Sequence, residues 1–120
     1  MKFENSPMNS NYNLENIDIP ENCKVVKNVF TTYDPSIHYN EDDSLYNLQE
    51  DLLQIVFDDI NLTVDLGWYG DFETNIGCFK IYIIKDFDWE DPLKVISSQS
   101  QNTIAKNLNQ ILLAVSNQEF

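Results

Sequence analysis

The chain has 120 residues, 42% of them hydrophobic and 12% aromatic, which suits one domain with its own core and excludes global disorder. Twenty Asp and Glu against seven Lys, with no Arg, give a net charge of −13. That balance excludes nucleic acid and anionic membranes as partners, since both are polyanions, and favours encounter with a basic protein.

Residues 1–21 are polar and Asn-rich, without the apolar segment of a signal peptide. A loosely held arm is expected there, with Tyr12, Leu14 and Ile17 available to pin it to a single domain spanning 22–120. Residues 23–32 are rich in β-branched side chains and read as a first strand, closed by Tyr33-Asp34-Pro35. Glu41, Asp42 and Asp43 supply acidic N-terminal chemistry for a helix that the spacing predicts to about Asp58. Leu45, Leu48, Leu52, Ile55 and Val56 form its core stripe.

Residues 61–69 alternate, with Leu62, Val64, Leu66 and Trp68 inward and Thr63, Asp65 and Tyr69 outward. A turn follows, then a strand over 77–86 that is apolar on both faces and therefore central. Residues 92–98 offer a further edge strand. A final helix is expected over 102–117, capped from the 100–103 region, with Ile104, Leu108, Ile111, Leu112 and Val115 buried and Leu113 on the opposite side. The order β-α-β-β-(β)-α predicts an α+β fold, a small antiparallel sheet of three or four strands with both helices on one face.

No constellation for catalysis stands out. The single histidine, His38, lies in a polar connection, and neither Cys23 nor Cys78 carries a local nucleophile signature. Both thiols read as ordinary half-buried residues of a reduced cytoplasmic protein, without metal-ligand spacing. Asp71, Glu73, Asp88, Glu90 and Asp91 would suit a pair of glycosidase carboxylates, yet the chain leaves little wall for a sugar cleft. Residues 86–91 place carboxylates at alternate positions but lack the Gly and distal Glu of a calcium loop. No cofactor and no metal is expected, and the chain is read as a non-enzyme.

The charge map says more. Residues 41–60 hold seven acids and no lysine, and residues 61–92 hold seven acids against two lysines, so twelve of the thirteen net negative charges fall within 41–92. Asp58 and Asp59 would stand at a helix C-terminus, where anions are disfavoured by roughly 0.3–1 kcal/mol each. Trp68, Tyr69, Phe72, Phe87 and Trp89 lie in or beside this stretch, and aromatic anchors ringed by carboxylates suit a basic protein surface. Trp68 reads more readily as core. The contact candidates are Asp58, Asp59, Tyr69, Asp71, Glu73, Asp88, Trp89 and Glu90.

Three segments, Asp65-Leu-Gly-Trp-Tyr-Gly-Asp-Phe72, Gly77-Cys-Phe-Lys-Ile-Tyr-Ile-Ile-Lys85 and Asp88-Trp-Glu-Asp-Pro-Leu93, together resemble immunity proteins of bacterial polymorphic-toxin systems, particularly those encoded beside contact-dependent growth-inhibition toxins. The resemblance covers about residues 61–115. It implies a cytoplasmic antidote that binds one cognate toxin domain 1:1, often a nuclease, and it carries over no catalytic residues. Gly67, Trp68 and Trp89 would then belong to scaffold as readily as to contact. Two alternatives remain beside it: an acidic mimic of nucleic acid that blocks a DNA-handling protein, and a small carbohydrate- or calcium-linked enzyme. Self-association stays open through Leu113 and the two-faced strand.

Overall fold

The computed structural model describes residues 12–38, 46–71 and 76–118. Its elements, in chain order, are β1 (Lys24–Asn28), α1 (Pro35–His38), β2 (Leu53–Phe57), a 3-10 turn (Asp58–Ile60), β3 (Leu62–Asp71), β4 (Ile76–Lys85), β5 (Lys94–Ser98) and α2 (Gln101–Ser116). The five strands form one antiparallel sheet in the order β1-β2-β3-β4-β5, a meander in which each strand pairs with its neighbour in sequence. Short connections dictate that arrangement for β2 to β5, whereas β1 joins β2 through the longer segment 29–52 that carries α1. The class is α+β, with five strands where three or four were expected.

The largest departure falls on the expected central helix. Among its described residues only 46–47 are helical, and Leu53–Phe57 is a strand paired on both sides. Leu53, Ile55 and Phe57 are buried while Gln54 and Val56 are half-buried, a period of two. The helical spacing of Leu48, Leu52 and Ile55 shares only Ile55 with that alternation, and backbone partners on β1 and β3 decide between the two. Glu41, Asp42, Asp43 and Leu45, which were to begin the helix, lie outside the described residues.

One face of the sheet carries the core. Leu53, Ile55, Phe57, Leu62, Val64, Leu66, Trp68, Phe79, Ile81 and Ile83 pack against Ile104, Ala105, Leu108, Ile111, Leu112 and Val115 of α2. The whole expected stripe of the last helix is therefore buried, and Ser100 caps it, its Oγ accepting from the Thr103 N–H at 3.2 Å. Phe30, Tyr33, Leu48 and Leu52 close the sides.

Residues 12–20 run along this body. Leu14 bridges Thr31, the Glu15 N–H donates to the Phe30 carbonyl, and the Asp18 N–H donates to Asn109 Oδ1 on α2. The Tyr12 ring meets Tyr33 edge-on at 5.0 Å. No helix among the described residues is long and apolar enough to cross a membrane.

Glycine shapes β3. The Trp68 N–H donates to the Gln49 carbonyl, so residues 49–50 cross β3 closely, and a Cβ at Gly67 would stand 2.1 Å from the Glu50 oxygen. Gly70 and Gly77 face each other across β3 and β4, and the Trp68 indole lies over both. The Gly-Trp-Tyr-Gly motif is thus scaffold at three of its four positions.

Candidate functional site: an acidic, aromatic knuckle

In a meander, alternate connections emerge at the same end of the sheet. The β2–β3 connection, residues 58–61, and the β4–β5 connection, residues 86–93, therefore adjoin. Two hydrogen bonds lock them together: the Asp86 N–H donates to the Asn61 carbonyl at 2.8 Å, and Lys85 Nζ donates to the Ile60 carbonyl. Asn61, with φ 49°, takes the left-handed conformation that this short connection needs.

The longer connection opens with a tight turn, the Asp88 N–H donating to the Lys85 carbonyl at 3.0 Å. Its two central residues are both left-handed, Asp86 at φ 53° and Phe87 at φ 61°. Hairpins favour such turns but fill them with Asn or Gly. A left-handed Phe costs roughly 1–2 kcal/mol, and little is recovered by burial, since the residue is 62% exposed. Trp89 at 48% and Leu93 at 54% are also exposed.

The same two connections carry Asp58, Asp59, Asp86, Asp88, Glu90 and Asp91, all exposed. Lys24 Nζ lies 3.9 Å from Asp58 Oδ2 in a solvent-screened pair, and Lys85 and Lys94 border residues 86–93, so the six acids leave this end net negative. The puzzle of two anions at a helix C-terminus also disappears: Asp58 and Asp59 begin a 3-10 turn, and no helix ends there.

The contact candidates divide. Asp58, Asp59, Asp88, Trp89 and Glu90 gather on the knuckle. Tyr69 and Asp71 stand at the far end of β3, roughly 25–30 Å away by strand rise, and Glu73 lies outside the described residues. Phe87, Asp86, Asp91 and Leu93, which are not among the contact candidates, join the site. The signal for Phe87 was present as an aromatic directly after the Lys85-Asp86 end of the strongest strand, where a turn residue belongs.

On the sheet face away from α2, Asp65 pairs in register with Tyr82 and is only 8% exposed. Burial raises its carboxyl pKa, against the lowering effect of the Gln54 Nε2 donor at 3.1 Å. Tyr69 meets the Tyr82 ring edge-on at 6.0 Å with Lys80 Nζ 5.6 Å from its centre. Burial, then the nearby Asp65 charge, push the Tyr69 hydroxyl up to about 12. These residues form a packed polar-aromatic layer with no carboxylate pair facing a cleft.

Cys23 and His38 are both engaged in local packing contacts. The Cys23 thiol donates to the Pro20 carbonyl and burial raises its pKa, which disfavours the thiolate. His38 Nδ1 accepts the Asp34 N–H at 3.1 Å while its ring lies against Tyr12 and Tyr33. Among the described residues no three His, Cys, Asp or Glu side chains converge as metal ligands, residues 86–91 included. Comparisons with protein-family models, with curated proteins and with solved structures find no match for this chain.

Proposed function

We propose that this chain is a non-catalytic, cytoplasmic immunity protein that neutralises one basic toxin domain, in 1:1 complex, by laying the knuckle of residues 58–59 and 86–91 on the toxin's cationic site. A nuclease is the favoured target, because a surface that grips nucleic acid is basic and an acidic antidote covers it. The observation that carries the reading is the exposed pair Phe87 and Trp89 on two adjoining connections that hold six exposed acids, with Phe87 in a backbone conformation that costs stability. Exposed aromatics give area and affinity at such sites, while the surrounding charges give rate and orientation. The resemblance of residues 61–115 to immunity proteins points the same way. A nucleic-acid mimic would instead space its carboxylates along a face, whereas six of these acids crowd two adjoining connections.

The experiment pairs the protein with the toxin domain encoded beside it. The triple variant Asp88→Lys, Glu90→Lys, Asp91→Lys should associate at least about tenfold more slowly at low salt, with the difference shrinking as salt rises. Asp71→Lys, at the opposite end of the sheet, should change the rate far less. Unchanged association of the triple variant at low salt would contradict the reading.

A further inference from the structure

The sheet has two edges, and they are not alike. β1 carries a bulge between Val25 and Lys27 and two lysines, Lys24 and Lys27, that lean on Asp58 and Asp51. Bulges and lysines are the usual means of making an edge unfit for pairing. β5 has neither device in that strength. Its register against β4 is regular from Lys94 to Ser98, it carries one lysine, and among the described residues no strand pairs with its outer side. An edge left this way presents a row of backbone donors and acceptors.

What could fill it is limited by charge. β5 begins directly after the knuckle, so any strand laid along it ends beside Asp86, Asp88, Glu90 and Asp91. A second copy would bring another net charge of −13 to the same place. Leu93 and Val95, exposed at 54% and 48% on alternate residues, offer apolar neighbours for the side chains of an incoming strand.

We infer that the outer edge of β5 accepts an extended segment of the basic partner as a sixth, antiparallel strand, whose cationic C-terminal end rests against the acidic knuckle. This rests on the knuckle reading above and adds to it a mode of contact, backbone pairing, and a direction. Antiparallel addition continues the meander, and it places the C-terminus of the incoming strand at the start of β5.

The test uses the whole protein and synthetic probes. The first probe is a capped octapeptide of alternating Thr and Val ending in two lysines. The second has the same composition with both lysines at its N-terminus. The third is the first with its inner amides N-methylated. NMR spectra would follow residues 86–91 and the hydrogen exchange of residues 94–98.

The first probe should slow exchange of the outward amides of residues 94–98 and bind about threefold or more tightly than the second. The N-methylated probe should protect none of them. Shifts confined to 86–91 without protection of 94–98 would overturn strand addition while leaving the knuckle reading intact. No shift in either segment would overturn both. Protection of 94–98 that grows with protein concentration in the absence of peptide would overturn the inference by assigning the edge to a second copy.

Discussion

Asp65 shows how a charge can sit in a sheet at a cost. It occupies the middle of the central strand, in register between Gln54 on β2 and Tyr82 on β4, and burial raises its pKa. A carboxyl whose folded pKa lies above the unfolded value contributes stability below the unfolded pKa and loses it as pH rises through the folded one. Ionised Asp65 therefore weakens the fold at neutral pH. Asp65→Asn keeps an acceptor for Gln54 and removes the buried charge. Thermal melts should show the variant more stable at pH 7, with the gain fading towards pH 3; a lower Tm at pH 7 would oppose this account.

Phe87 poses the reverse case, a strained backbone under an exposed side chain. Phe87→Gly relieves the left-handed strain while adding unfolded-state entropy, so the free protein should be as stable or up to about 1 kcal/mol more stable. Affinity for the proposed basic partner should fall by about 2 kcal/mol, the loss typical of an aromatic anchor. Denaturant titration and calorimetry read the two effects separately. A destabilised variant with unchanged affinity would make Phe87 a structural residue.

At the scale of elements, legibility in the sequence followed how many independent signals agreed. The last helix had periodicity, a Ser cap and a uniform buried stripe, and it stands at Gln101–Ser116 against the expected 102–117. β4 had apolar residues on both faces and is flanked by strands on both sides. β2 lacked that agreement. Its five residues carry strand chemistry, but the leucines preceding it fall at helical spacing, and the pairing with β1 and β3 that settles the matter involves partners distant in sequence.

The misfit of Asp58 and Asp59 with a helix end was the local warning. An alternation over Leu53, Ile55 and Phe57 followed by an acidic turn accounts for both. The site was legible in composition but not in geometry: acids and aromatics were identified, whereas their division between two ends depends on which connections adjoin. The crossing of residues 49–50 over β3 had no sequence signal except Gly67 itself. Gly67→Ala should cost about 1–3 kcal/mol by forcing those backbones apart, measured by urea unfolding; a neutral effect would mean that the crossing is not tight.

The whole molecule separates a structural half from a charged end. Residues 93–120 carry two lysines against one acid and supply the helix that covers the core, whereas the knuckle concentrates acids and exposed aromatics on connections that the core does not use. Such a division suits a protein that approaches its target electrostatically and holds it through a small apolar centre. Hydrogen exchange of the complex with the proposed toxin partner probes this most directly, since it maps contact without altering a residue. Protection at residues 58–61 and 86–93 and, with the added strand, at the outward amides of 94–98, while residues 69–71 and the outer face of α2 exchange as in the free protein, is the expected footprint. A footprint on α2 or on the β3–β4 end, with the knuckle unprotected, would contradict the account.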